Sequence, residues 1–181
     1  MKMVKTIMAG AVAMALVSFG ANANANANQG QGQVNFKGTV IDAPCGIAPE
    51  SADQTIDFGQ ISKAHLTNGG TSQHKNVGIK LVNCDLAGQK KTVTITFSGS
   101  SVGADKLDEL GTSGGTGTAI KMSTAAGDVV KFDGSTSAGS YNLKEGDNTM
   151  HYSAWVQKAS GEGTVTEGDF AAVANFNLTY Q

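Results

Sequence analysis

The final fourteen residues of the chain alternate between apolar and polar side chains. Residues 168–181 have the sequence GDFAAVANFNLTYQ. Because successive side chains of a β-strand point to opposite faces, this period of two predicts one extended strand with a single apolar face. A terminal strand of this length has an exposed edge, so we expect another segment to pair with it. The apolar positions of this predicted strand are Gly168, Phe170, Ala172, Ala174, Phe176, Leu178 and Tyr180.

A second alternating segment begins at Gln29, near the other end of the chain. The Ala-Asn tract before it contains no large apolar side chain and cannot pack as it stands. The segment continues into a further strand candidate with no turn to fold it back, so we predict that it is extended. One face carries Gly30, Gly32, Val34 and Phe36, and the other carries Gln31, Gln33, Asn35 and Lys37.

Short strand patterns and turn signals fill the region between these two segments. The predicted strands cover residues 39–43, 55–61, 77–84, 92–98, 119–123, 129–133 and 148–158. Turns are predicted at 68–70, 111–117, 133–134 and 145–147, where glycine clusters with Asn, Asp or Ser. Short strands at this spacing predict an all-β, antiparallel sandwich, in which Trp155 is the expected core aromatic.

The amino terminus has the pattern of a secretory signal peptide. Lys2 and Lys5 precede an apolar run over residues 7–19, and alanines in A-x-A spacing follow it. The apolar run is too short to span a membrane. We predict a signal peptide over residues 1–23, with cleavage after Ala23 favoured among sites at 21–27. The mature protein is then expected to be exported and soluble.

Composition narrows the class of protein further. The mature chain of about 158 residues is the size of one domain. It keeps 11 lysines against 15 acidic residues and contains no arginine. Binding to nucleic acid or to anionic membranes needs clustered cations, so this mildly acidic chain argues against both. In an exported chain, Cys45 and Cys84 predict a disulfide, with a metal-binding or catalytic thiol as the alternative.

The remaining motifs do not support catalysis or a cofactor. The glycine-rich residues 111–117 lack the Gly-Lys-Ser/Thr ending of a phosphate-binding loop, so a turn or flexible loop is predicted. Asp105, Asp108 and Glu109 are expected on a solvated surface. His65, His74 and His151 have no ligand spacing, and we discount the glycosylation sequon at residues 177–179 because a glycan there would block packing. We therefore expect no enzyme activity, metal or cofactor.

The two alternating segments allow two arrangements. They could pair within one molecule, or the amino-terminal segment could pair with the terminal strand of the next molecule. The unstructured Ala-Asn tract and the missing turn favour the second arrangement. Addition of a strand to an exposed edge is a known binding mode. Head-to-tail pairing between different surfaces does not close, so it produces a filament.

The chain resembles the major pilins of the chaperone–usher pathway, in particular the shaft subunits of P (pyelonephritis-associated) fimbriae. The resemblance spans the mature chain and includes the pairing of a penultimate tyrosine, Tyr180, with a glycine, Gly168, that is fourteenth from the end, a pairing specific to this class. The matching stretches are residues 29–32, 36–45, 51–60, 81–84, 114–119 and 171–181.

This resemblance implies an incomplete immunoglobulin-like sandwich over residues 38–181 that lacks its final strand. A groove along the last strand, including Gln181, would first bind a strand of a periplasmic chaperone. At an outer-membrane usher, residues 24–37 of the next copy would replace that strand and insert Gly30, Gly32, Val34 and Phe36. Minor pilins and a tip adhesin are further implied partners, and the implied location is the fimbrium on the cell surface.

Three other functions remain as alternatives. A minor pilin acting as adaptor, anchor or terminator would share the fold. A monomeric secreted carbohydrate-binding sandwich would need clustered exposed aromatics, and the chain has one Trp and three Tyr. An enzyme is the weakest interpretation.

Overall fold

The computed structural model describes residues 32–88 and 90–181, and β-strands dominate this part of the chain. The predicted signal peptide, its cleavage sites and Gly30 lie outside the described residues. Two short helices, α1 (Pro49–Ala52) and α2 (Lys63–Thr67), separate the first two strands. The strands are β1 (Gly46–Ile47), β2 (Lys75–Cys84), β3 (Thr92–Gly99), β4 (Leu110–Gly111), β5 (Thr118–Thr124), β6 (Asp133–Asn142), β7 (Gly146–Lys158) and β8 (Ala174–Tyr180).

The strands form two antiparallel sheets that enclose one main core. The first sheet has the order β1-β2-β7-β5-β4, and the second has the order β6-β3-β8. Each sheet contributes alternate apolar side chains to the core, as the period-two patterns require. Ile79 and Leu81 from the first sheet and Val93 and Ile95 from the second are almost fully buried. The predicted all-β antiparallel sandwich is therefore confirmed.

The core aromatic of β7 is Tyr152, and the prediction that Trp155 fills this role was wrong. Strand alternation places Tyr152 with Met150 and Ala154 on the buried face, whereas the odd-numbered Trp155 faces away from the core. The ring of Trp155 stacks on His74 at a centroid distance of 4.6 Å. Tyr152 packs edge-on against Phe97 of β3 at 5.1 Å, which joins the two sheets across the core.

Two predicted strands, over residues 39–43 and 55–61, are absent from the structure. The first has no neighbouring strand among the described residues, and the second is interrupted by a turn. Residues 39–43 pair with no strand in the described part of the chain, and Val40 and Ile41 are exposed. Residues 55–61 are interrupted where the Asp57 side chain accepts a hydrogen bond from the backbone of Gly59 at 2.7 Å. Gly59 has a φ of 65°, a turn conformation that cannot continue a strand.

The predicted turn at residues 133–134 is the start of β6, and the predicted strand over 129–133 forms only an isolated bridge at Val129. Asp133 pairs with Ser98, whereas Ser137 pairs with Thr96, so β6 bulges between these two positions. The Asp133 carboxylate accepts bonds from the backbone of Ser135 (2.8 Å) and Thr136 (2.7 Å) inside the bulge. The residues predicted to form a turn therefore form a β-bulge within a longer strand.

The described residues divide into two units by their contacts, residues 32–39 and residues 40–181. Residues 32–39 are exposed and have no regular secondary structure. Within residues 32–88 and 90–181, no helix has both the length and the apolar character needed to cross a membrane.

Cys45 and Cys84 form the predicted disulfide, which joins the start of β1 to the end of β2 across 39 residues of sequence. In the loop-entropy picture, a bridge closing a loop of this size stabilises the fold by roughly 4 kcal/mol. We expect the double variant Cys45→Ala/Cys84→Ala to lose about this much unfolding free energy in urea titrations. Reductant should lower the midpoint of the parent protein and leave the double variant unchanged. Equal midpoints for the two proteins would contradict this role.

The bulge in β6 predicts a specific acid sensitivity. The hydroxyl of Thr136 and the two backbone donors hold the pKa of Asp133 well below its ordinary value. A depressed folded-state pKa means that the stabilisation is complete above about pH 4 and is lost as the pH falls further. Asp133→Asn should therefore lower the urea midpoint at pH 7, and the difference from the parent should shrink below about pH 4. A difference that stays constant across this range would refute the assignment.

Candidate strand-addition site

The carboxy-terminal strand β8 pairs with β3 in one uninterrupted antiparallel register from Ala174 opposite Gly99 to Tyr180 opposite Val93. Even-numbered residues of β8 therefore lie opposite the buried odd-numbered residues of β3. Phe176 is opposite Phe97, and their rings are 6.4 Å apart. The register places the apolar face of β8 on the main core, as the sequence alternation predicts.

This apolar face is only half-buried, unlike its partners on β3. Phe176, Leu178 and Tyr180 pack against the main core but remain in the intermediate range of exposure. In the part of the chain that the structure describes, β3 is the only strand beside β8. The backbone groups on the other side of β8 are thus an open sheet edge, next to apolar side chains that a further strand would cover. We call this side of residues 174–180 the terminal edge.

The predicted strand over residues 168–180 is shorter than expected, because its first half leaves the sheet. The carbonyl of Ala171 accepts bonds from the backbone (2.8 Å) and hydroxyl (3.1 Å) of Ser113, and Thr166 donates to the carbonyl of Thr116 at 3.0 Å. The backbone of this half is therefore bonded to the glycine-rich loop between β4 and β5. Phe170 packs in the smaller apolar cluster near Phe58, whereas Ala172 contacts the main core.

The glycine-rich loop has a positioning role that sequence reasoning missed. A Cβ at Gly114 would collide with the carbonyl of Asp169, and one at Gly117 would lie 2.5 Å from the carbonyl of Thr164. Both glycines also have positive φ, which other residues rarely adopt. The glycines thus permit close backbone approach, and they guide the chain into β8. Gly168 has a φ of 147°, which explains a glycine there by backbone conformation.

The end of β8 contains two further features. The hydroxyl of Tyr180 is buried and has no hydrogen-bond partner among the described residues, and burial raises its pKa. A buried hydroxyl of this kind costs on the order of 1–3 kcal/mol. Gln181 is held beyond the strand, where its main-chain oxygen accepts bonds from the backbone (2.9 Å) and hydroxyl (3.1 Å) of Thr92.

The predicted inserting segment, as far as it is described, exposes its apolar side chains. Val34 is 73% exposed and Phe36 is 91% exposed. A Cβ built on Gly32 would meet nothing within 4 Å. On the opposite face, the Gln33 side chain donates to the Asn35 side chain at 3.2 Å. The segment therefore presents large apolar side chains to solvent, which neither a packed strand nor a purely polar tail would do.

The carboxylates assigned to a solvated surface require a correction. Glu109 is only 2% exposed, and it accepts bonds from the backbone (2.8 Å) and hydroxyl (2.6 Å) of Ser160. Asp108 is half-buried and pairs with Lys121 at 2.8 Å, which holds the pKa of Asp108 below its usual value. Asp108 and Glu109 immediately precede β4, which pairs with β5. Asp108 contacts Lys121 of β5, and Glu109 bonds Ser160, just after the end of β7. Asp105 is exposed as predicted.

The described residues contain no group of three or more His, Cys, Asp or Glu side chains that could hold a metal ion. Two of the histidines instead form hydrogen bonds with neighbouring groups. His65 bonds the carbonyl of Thr71 at 3.1 Å, and His74 bonds the hydroxyl of Ser153 at 3.1 Å. The discounted sequon lies inside β8, as predicted, and the side chain of Asn177 is exposed.

Comparison with known proteins places this geometry in a family. The sequence model described as Fimbrial protein matches residues 34–181. The Pap fimbrial major pilin protein of Escherichia coli is 54% identical over 188 residues, which cover 99% of this chain and 100% of that protein. The crystal structure of the P pilus rod subunit PapA has 50% identity and a TM-score of 0.71, covering 77% of this chain and 100% of that one.

A second solved structure, of a chaperone–usher pilus and described as revealing the basis of rod uncoiling, has 52% identity and a TM-score of 0.77. It covers 84% of this chain and 97% of that chain. These matches extend over the strands and the terminal edge, and they support the immunoglobulin-like sandwich that the sequence resemblance implied. The resemblance to major pilins is confirmed, and the chain belongs to the fimbrial protein family.

Proposed function

We propose that this protein is the major structural subunit of a chaperone–usher fimbria, and that it polymerises head to tail into a rod. The observation that carries the proposal is the terminal edge, an open side of β8 above a half-buried apolar face. The similarity to a fimbrial major pilin and to a pilus rod subunit supports this role.

In this proposal, residues 24–37 of one subunit complete the second sheet of the next subunit. The added strand forms main-chain hydrogen bonds with the terminal edge, and these bonds do not depend on side-chain identity. Its apolar side chains cover Phe176, Leu178 and Tyr180, which β3 reaches from one side only.

The energetic gain comes from side chains that are exposed in the isolated subunit. Burying a large apolar side chain contributes roughly 1.5–3 kcal/mol, so Val34 and Phe36 together provide several kcal/mol per joint. Gly30 and Gly32 contribute no apolar area, and they suit positions where the added strand lies close to the surface below. The pattern from glycine to phenylalanine would suit a groove that is shallow at one end and deep at the other.

The same edge requires protection before assembly, because exposed edges aggregate. A periplasmic chaperone that inserts its own strand beside β8 meets this need, and an outer-membrane usher then exchanges it for residues 24–37 of the next subunit. We further propose that the chaperone contacts Gln181, next to the backbone pairing of this residue with Thr92. The subunit passes through the periplasm and ends in a fimbrium on the cell surface with minor pilins and a tip adhesin.

Self-completion tests the proposal directly. Residues 24–37 copied after Gln181 through a short flexible linker should fill the terminal edge within one molecule. The expected product is a soluble monomer with a cooperative thermal transition in the absence of chaperone, seen by size exclusion and circular dichroism. The matched control is the same fusion with Val34→Lys and Phe36→Lys in the copied segment, which should be as unstable as the parent. A fusion no more stable than this control would overturn the proposal.

A second test concerns the small residue at position 32. Nothing lies near Gly32 in the isolated subunit, so Gly32→Leu should not disturb the subunit that carries it. We expect the variant to slow exchange at least tenfold, because the added side chain must fit under the strand as it enters the groove. The rate is measured by release of chaperone from a chaperone–subunit complex. Gly38→Leu, just beyond the segment, is the matched control, and equal rates for both variants would contradict the assignment.

A further inference from the structure

The outer face of the sheet β6-β3-β8 is built from short hydroxyl and amide side chains. Alternation that directs Val93, Ile95 and Phe97 into the core directs the residues between them outward. Two rows that cross all three strands contain no charged group. These rows are Ser140, Thr94 and Thr179, and Ser137, Thr96 and Asn177.

One side-chain hydrogen bond joins two of the strands within these rows. The hydroxyl of Thr94 donates to the hydroxyl of Ser140 at 3.2 Å, which bonds the first row across β3 and β6. In the next row, Asn175 lies opposite Ser98, and Asp133 completes that row from β6. The carboxylate of Asp133 is bonded within its own bulge to Thr136. We call these outward-facing rows the polar ladder. On β8 the ladder ends with Asn175, Asn177 and Thr179, all of which are exposed.

The inserting segment carries side chains of the same chemistry on its polar face. If its even-numbered residues enter the core beside Phe176 and Leu178, its odd-numbered residues must lie on the outer face beside those of β8. Those residues are Gln31, Gln33, Asn35 and Lys37. Gln33 and Asn35 already bond each other at 3.2 Å, so their side chains share one face.

We propose that the polar faces of the two segments also meet, so that Gln33 and Asn35 of one subunit pair with the ladder of Asn175, Asn177 and Thr179 on the next and fix the register of the joint. This inference rests on the proposed function and adds to it a second, outward-facing recognition surface whose occupant is a second copy of this chain. The apolar face excludes a slip of one residue, which would expose Val34 and Phe36. A slip of two residues keeps the apolar face inward, but it would break the side-chain pairs of the polar ladder. The ladder therefore disfavours this slip.

A charge-coupling experiment on assembled fibres tests this inference. Asn35→Glu is combined in the full chain with Glu or Lys at position 175, 177 or 179, and dissociation of purified fibres in denaturant is timed. At one of these three positions, the Glu–Glu pair should speed dissociation and the Glu–Lys pair should reverse the effect. Cross-strand pairs predict a change of about 1.4-fold to fivefold each way, and high salt should reduce it.

Ser140→Glu is the matched control, because it lies on the same outer face but on β6. Strands are spaced by about 4.8 Å, so β6 is roughly 14 Å from the added strand, beyond the screening length at physiological salt. It should not couple to position 35. The same pairs in the self-completed fusion, measured by thermal melting, give a second reading for combinations that do not form fibres.

The outcomes separate the two proposals. Coupling at one position of β8 supports the polar ladder and reports the register. Absence of coupling at all three positions, while Val34→Lys abolishes fibres, overturns the ladder and leaves the proposed function standing. Fibres that form normally with Val34→Lys would overturn the proposed function itself, and the ladder with it.

Discussion

Among the described residues, the terminal strand β8 is hydrogen-bonded to a strand on one side only, and this constraint determines how deeply its apolar face is buried. A central strand such as β3 has neighbours on both sides, and its apolar residues are almost completely buried. β8 contributes the same kind of residues to the same core, yet they stay half-exposed because one flank has no strand in the described chain. The apolar side chains of β8 can therefore be fully buried only when a further strand packs beside them.

The glycine-rich loop and the disulfide support this arrangement at two separate places in the fold. The loop accepts the backbone before β8 so closely that Gly114 and Gly117 have no room for a side chain. This contact turns the chain from one sheet to the other and sets where the terminal edge begins. The disulfide holds the start of β1 to the end of β2, so the other flank of the sandwich keeps its shape without a long strand there.

Sequence patterns predicted the parts of this fold that depend on local alternation. The core strands β2, β3 and β7 and the apolar face of β8 follow directly from residues spaced two apart. Patterns failed where a tertiary contact decided the outcome. The burial of Glu109 depends on Ser160, which is 51 residues away, and the shortening of β8 depends on Ser113. Trp155 was misplaced because size suggested burial, whereas its odd position in β7 decides its face.

The covalent bridge has a mechanical consequence for a filament under tension. A pull transmitted through the amino-terminal segment of a subunit enters the folded domain at Cys45. From there the load passes through the sulfur atoms to Cys84 and does not reach the chain between them. The 39-residue stretch cannot be drawn out, which removes about 130 Å of possible extension from every subunit. In a filament of such units, each domain therefore keeps the length of this stretch under load.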